Sequence, residues 1–284
     1  MDERTLGRMG WRRDIPDLRD FTADSVAVRE ILGKSGPLKK AVGAPPSAID
    51  LQAWCPPIED QEDLGSCTAN AGVALLEYFQ RRAFGQHLDA SRLFLYKATR
   101  DLLGWTGDTG AYLRTTMKAM VLFGVPPEAY WEYQVSQFDD EPPAFCYAFA
   151  QNYQTIKYYR HDPAGVAPAQ VLKRVKTSLA AGLPAMFGFS VYSSIPGMGS
   201  GTGDIPFPQP GDSLLGGHAV VAVGYDDART IGDKQGALLI RNSCSTGWGD
   251  AGYGWLPYAY VEQGLAVDFW SLVRAEFVDT ELFK

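Results

Sequence analysis

Residues 61–85 read QEDLGSCTANAGVALLEYFQRRAFG, and their spacing carries most of what the chain discloses about its architecture. From Ser66 to Ala83, apolar residues fall at Ala69, Val73, Leu76 and Ala83, with Leu75 and Phe79 flanking them. That is the three-and-four spacing of a helix with one buried face. Cys67 stands at its start, and Gly65 and Ser66 supply a small, flexible approach and an N-cap. A thiol so placed is expected at an exposed helix tip, in the positive end of the macrodipole, where a thiolate is favoured.

Outward from this helix the pattern stays helical toward residue 150. Ser91–Leu103 and Ala111–Phe123 repeat the periodicity, the second closing at Gly124 and Pro126-Pro127. One more helix, Pro168–Ala181, ends at Gly182 and Pro184. Short apolar or alternating runs follow at Ala185–Val191, His218–Tyr225, Ala237–Asn242, Tyr253–Pro257 and Phe269–Phe277, which read as strands. A helical half (about 50–155) before a strand-rich half (about 156–275) predicts an α+β fold of two lobes, with the ligand cleft between them. Residues 1–48 are charged, then rich in Gly and Pro, and read as an extension over a main domain of residues 49–284.

The composition narrows the function. At 284 residues and 46% hydrophobic, the chain can bury a substantial core. A net charge of −7 leaves no large basic field for nucleic acid or an anionic membrane, so neither is an expected partner. No apolar run approaches the roughly 18 residues of a membrane helix. The first residues alternate acids and bases instead of forming a signal core, so a cytoplasmic protein is the default expectation, with unconventional export left open. Cys 4 and His 3, without a C-x-x-C pair, argue against a disulfide scaffold, a metal centre and a metal-dependent reaction, and no cofactor is expected. Cys55, Cys146 and Cys244 read as free buried thiols, and the protein as a monomer.

Four residues stand at informative places: Gln61, Cys67, His218 in LLGGHAVVAVGYDD, and Asn242 in LIRNSCSTGWGDAGYGW. Each alone has an ordinary structural reading: a solvated loop amide, a small core thiol, a hydrogen-bonded core imidazole, a turn residue. Together they are the set that nucleophilic acyl chemistry needs. An imidazole opposite the thiol activates it and later protonates the leaving amine. An amide on the other ring nitrogen fixes the tautomer. Gln61, six residues before the thiol, can donate to a developing oxyanion beside the Cys67 N–H.

In that order, and through the NSCSTGWGDAGYGW segment, the sequence resembles the papain-like cysteine peptidases, in their prokaryotic-type branch, over about residues 50–275. The resemblance implies a helical left lobe, an antiparallel β-barrel-like right lobe and a cleft between them. It makes Cys67 the nucleophile, His218 the general base and acid, Asn242 the orienter and Gln61 the oxyanion donor of a peptidase working through a thioester. It further implies that Gly110 pairs with the backbone of an extended peptide or protein substrate, that Trp248 walls the leaving-group side, and that a specificity pocket is floored by residues around Ala266–Trp270. The chain departs from the pattern where the family usually has a Cys, an aromatic and a Trp, here Leu64, Thr68 and Cys244. The same chemistry also suits an acyl transferase or peptide ligase, and the fold an idle peptide-binding module, although all four residues are retained. Residues 1–48 lack the long charged propeptide helix, and read either as a segment that occupies the cleft or as a strap between lobes.

Two other motifs carry less. Gly211-Asp212-Ser213-Leu214 spells an esterase nucleophile motif, but no His follows His218 to serve it. The glycine-rich run Gly197–Gly203 lacks the Lys of a phosphate-binding loop and reads as a mobile loop beside the cleft.

Overall fold

The computed structural model describes residues 9–34, 45–153, 157–195 and 201–273. The chain opens with a two-residue strand, β1 (Trp11–Arg12), and a helix, α1 (Val26–Lys34), both inside the predicted extension. A short β2 (Ala48–Asp50) leads to the central helix α2 (Cys67–Phe84). The apolar positions picked out by periodicity are its buried face, and it stops at Gly85, whose φ of 63° suits a residue without Cβ. Next comes α3 (Arg92–Leu103), capped by the Ser91 side chain, which accepts from the Phe94 N–H.

The predicted helix from Ala111 begins two residues late. Ala111 and Tyr112 form β3 instead, paired in parallel with β1, and α4 (Leu113–Leu122) follows. After α5 (Ala144–Ala150) and β4 (Lys157–Arg160), α6 (Pro168–Ala180) starts with its proline in the first turn, where the missing N–H costs nothing. The remaining elements are β5 (Ala185–Tyr192), β6 (Leu214–Ile231), β7 (Lys234–Arg241), β8 (Tyr253–Pro257), α7 (Tyr258–Glu262) and β9 (Ala266–Val273). Four of the five predicted strand runs match β5 to β8. The fifth is displaced, starting at Ala266, and its predicted end lies outside the described residues. Most of the Gly197–Gly203 run lies outside them too.

One sheet joins seven strands in the order β4-β9-β5-β6-β7-β8, with β2 also on β6, every pairing antiparallel. This corrects the barrel-like expectation: among the described residues the sheet does not close. Closure requires the first and last strands to pair, and β4 and β8 sit at opposite ends. Other segments meet both edges. The Arg160 N–H of β4 donates to Phe21 O at 2.7 Å, and the Trp255 N–H of β8 donates to Gly203 O at 2.8 Å. The helices α2, α3 and α4 pack together, and α2 lies against β6, so one continuous core spans both halves. The first residue of α2 thereby faces the strand that carries His218. Among the described residues no helix is long and apolar enough to cross a membrane.

Candidate active site

Cys67 opens α2, and as a first-turn residue its backbone N–H has no acceptor within the helix. The expected Ser66 cap is absent. Ser66 is already in a turn conformation (φ −91°, ψ 14°), and its hydroxyl is turned to the Tyr133 hydroxyl at 2.7 Å and accepts from Asn70 Nδ2 at 3.0 Å. Nor is the thiol exposed, because Cys67 is fully buried.

His218 lies on β6 and Asn242 just after β7, which pair side by side in the sheet. The Asn242 Oδ1 receives His218 Nε2 at 2.7 Å and the Ser243 N–H at 2.8 Å. The second contact comes from a backbone donor, so that atom is the amide oxygen, and Nε2 is the ring nitrogen that carries the proton. The thiols of Cys244 and Cys67 lie close enough to His218 to act on its charge. Burial pulls the imidazole toward its neutral form, but those sulfur contacts outweigh it and hold the His218 pKa well above its ordinary value. Thiol, imidazole and amide are thus brought together at one place, the imidazole hydrogen-bonded to the amide and under the influence of the thiol.

Gln61, expected in solvent if it were merely a loop residue, is fully buried beside them. Its Oε1 accepts from the Ser243 hydroxyl at 2.6 Å, its Nε2 donates to Leu64 O at 2.9 Å, and its backbone N–H donates to Ser243 O at 2.9 Å. The Tyr133 hydroxyl donates to Gln61 O at 2.8 Å. Ser243 and Tyr133 therefore join Gln61, Ser66 and Asn242, and sequence reasoning missed both. Adjacency to Asn242 was a usable signal for Ser243; Tyr133 lies more than 60 residues from Ser66 in sequence and offered none.

The extension runs through this site. Gly10 packs on Gly65 and Gly110, Met9 on Gly216, and the Trp11 ring on Gly188 and Gly217 so closely that a Cβ on either glycine would overlap it. The contacts at Gly65, and at Gly216 and Gly217, fall within two residues of Cys67 and of His218 respectively. The Ala111 N–H, not that of Gly110, donates to Gly10 O at 2.8 Å, whereas the Gly110 N–H is turned inward to the Tyr96 hydroxyl at 3.0 Å. Trp248 lies in the loop that carries Asn242, with its ring against Gly254 of β8.

Beyond Trp11 the extension is fastened by buried charge. The Trp11 indole N–H donates to Asp268 Oδ2 at 3.2 Å, the Asp14 N–H to the same oxygen at 2.7 Å, and the Trp270 indole N–H to Asp14 Oδ2 at 2.9 Å. Arg160 reaches Asp268, Asp162, Asp20 and Asp14, and Arg114 holds Asp20 with two bonds of 2.7 Å. Burial, and next the charge of Asp268, push the Asp14 carboxyl up to about 7.

A helical half and an open antiparallel sheet that meet at a thiol, an imidazole and an amide define a protease architecture of papain type. The chain belongs to the papain family of cysteine proteases, whose profile matches residues 45–266. It is 32% identical over 292 residues to an uncharacterized peptidase C1-like protein of Acanthamoeba polyphaga mimivirus, covering 95% of this chain and 88% of that one. Among solved structures it resembles xylellain, a cysteine protease from Xylella fastidiosa, with 34% identity, a TM-score of 0.77 and coverage of 94% and 96% of the two chains. Digestive procathepsin L 3 of Tenebrio molitor larval midgut shares the fold at 16% identity and a TM-score of 0.67, covering 95% of this chain and 78% of that one.

Proposed function

We propose that this protease hydrolyses peptide bonds with Cys67 as nucleophile, His218 as general base and acid, and Asn242 as orienter, and that residues 9–14 hold it latent. The observation that carries the reading is the 2.7 Å hydrogen bond from His218 Nε2 to Asn242 Oδ1, on a buried imidazole that the nearby Cys67 sulfur helps to hold charged. In the reaction the Cys67 thiolate attacks the carbonyl carbon, and negative charge builds on the carbonyl oxygen. The Gln61 amide and the Cys67 N–H stabilise that charge. His218 gives its Nδ1 proton to the leaving amine, and a thioester remains. His218 then takes a proton from water, the hydroxide adds to the thioester, and the acid leaves Cys67 as the free thiolate. The β3 edge at Gly110–Tyr112, where β1 now lies, receives the extended substrate, and Trp248 walls the leaving-group side. The chemistry requires Cys67 reduced, so a reducing compartment such as the cytoplasm is its proposed setting.

Fluorogenic dipeptide hydrolysis under reducing conditions, with a thiol-directed epoxide run in parallel, tests the reading. Three chains are compared: the unaltered protein, Trp11→Ala and Cys67→Ala. Turnover and labelling are expected to rise in Trp11→Ala and vanish together in Cys67→Ala. Labelling of Cys67 without turnover in Trp11→Ala would favour acyl transfer over hydrolysis; equal rates in the unaltered chain and Trp11→Ala would remove the latency.

A further inference from the structure

The two donors that the proposed reaction aims at the oxyanion come from different segments, Gln61 from the loop before α2 and Cys67 from its first residue. They act on one oxygen only if each sits about 2.7–3.1 Å from it, so their separation has to be fixed. One hydroxyl spans the two segments. Tyr133 Oη donates to Gln61 O at 2.8 Å and lies 2.7 Å from the hydroxyl of Ser66, the residue before Cys67. A carbonyl only accepts, so the single Tyr133 proton is committed to Gln61 O, and the Ser66 hydroxyl is the donor to Tyr133. Ser66 Oγ in turn accepts from Asn70 Nδ2 at 3.0 Å. Every bond in the series Asn70–Ser66–Tyr133–Gln61 therefore has one direction. Burial pushes the Tyr133 hydroxyl up to about 12, and it keeps its proton over the neutral range.

The ring is held as firmly as its hydroxyl. Arg92 of α3 lies over it, with Cζ 4.2 Å from the ring centre. Arg92 is itself clamped by Glu59 at 2.9 Å and Glu128 at 2.8 Å, and its Nη1 donates to Asp60 O at 3.2 Å. Residues 59–61 and Tyr133 thus share one support. Gln61 O also accepts the Leu64 N–H, at the longer distance of 3.3 Å. We infer that Tyr133 is a positioning residue for the oxyanion site: its hydroxyl ties the Gln61 main chain to the start of α2 and so sets the distance between the Gln61 amide and the Cys67 N–H. The inference rests on the proposed role of those two donors and deepens it.

Tyr133→Phe keeps the ring under Arg92 and removes the hydroxyl alone. Dipeptide hydrolysis is measured in the unaltered full-length chain and in Trp11→Ala, with dipyridyl disulfide as a second reagent for Cys67, because thiol–disulfide exchange builds no oxyanion. Tyr133→Phe is expected to lower kcat roughly ten-fold at a nearly constant KM, and to leave the rate of disulfide exchange within about twofold. In a Gln61→Ala chain, where no side-chain donor remains to be placed, the same substitution should change kcat by less than about twofold. Should Tyr133→Phe not fold, Ser66→Ala, which breaks the series at its next bond, carries the same three expectations. An unchanged kcat, an equal loss with and without the Gln61 side chain, or a loss of disulfide exchange as large as that of kcat overturns the role of Tyr133 and leaves the peptidase reading standing. Turnover unaffected by Gln61→Ala removes the oxyanion role of Gln61, and no turnover in either starting chain removes the proposed function itself; the inference falls with either.

Discussion

Two histidines of this chain are almost equally buried, His161 at 3% exposure and His218 at 6%, and they are driven in opposite directions. His161 donates from Nε2 to the Ser271 hydroxyl at 2.9 Å, because that hydroxyl already gives its own proton to Pro184 O at 2.7 Å. Burial, and secondarily the nearby Arg174, depress its pKa to about 3. His218 has nearly the same burial but an amide oxygen on Nε2 and the Cys67 and Cys244 thiols nearby, and is held well above the ordinary value. Burial alone therefore does not set the state of an imidazole here. A neutral hydroxyl leaves it a neutral core residue, and a thiol pair with an oriented amide makes it a candidate acid and base.

The largest effect expected from breaking this contrast is on turnover. Cys67→Ala or His218→Ala should lower kcat in peptide hydrolysis by roughly 10³-fold or more, while His161→Gln changes it less than about twofold; a loss in His161→Gln as large as in His218→Ala would erase the distinction. Removing the amide comes next. Asn242→Ala should cost roughly 10²-fold in kcat at a nearly constant KM, while Ser271→Ala, its counterpart beside His161, lowers the melting temperature and spares kcat.

Asp14 sharpens the comparison with a shift of opposite consequence. The docked extension raises its carboxyl from 3.8 to about 7, so the docked state binds the proton more tightly than the released one. Its contribution to docking is complete below 3.8 and is lost as pH rises through about 7. The groups facing it are Asp268, Asp20, Arg114 and Arg160, with the Trp270 indole. Epoxide labelling of Cys67, corrected for the intrinsic pH dependence with a Trp11→Ala chain, should rise several-fold between about pH 6 and 8, and Asp14→Asn should flatten that rise. The smallest effect is on stability. His161 binds its proton less tightly folded than unfolded, so its contribution is full above 6.5 and declines as pH falls toward about 3. Melting curves of His161→Gln should therefore lose less on acidification through that window than those of the unaltered chain, by about 1 kcal/mol or more.

The fold was legible wherever one face of one element announced itself. The period of α2 located Cys67 at a helix start, and the runs at β5 to β8 named the sheet that brings His218 beside Asn242. What stayed hidden depends on contacts between distant segments. Tyr133 binds Gln61 and Ser66 from a loop with no periodicity, and the length of β6 comes from pairing with β7 across two register shifts. Ala111 and Tyr112 satisfy a helical pattern and still pair as a strand because β1 supplies the partner. The glycines at 188 and 217 read as ordinary strand residues until the Trp11 ring is found lying on them.

The extension touches the body at a second place, where Phe21 O takes the Arg160 N–H and Thr22 bridges to Arg160 along the outer side of β4. A cut between Asp14 and Phe21 that frees only the first part would empty the cleft and leave that strand covered. A cut after Thr22 that releases both would also bare the edge of β4 at Arg160, whose backbone N–H another molecule's strand can pair with. On that ground, two processed forms with the same turnover number are expected to differ in how concentrated a solution each tolerates before clumping.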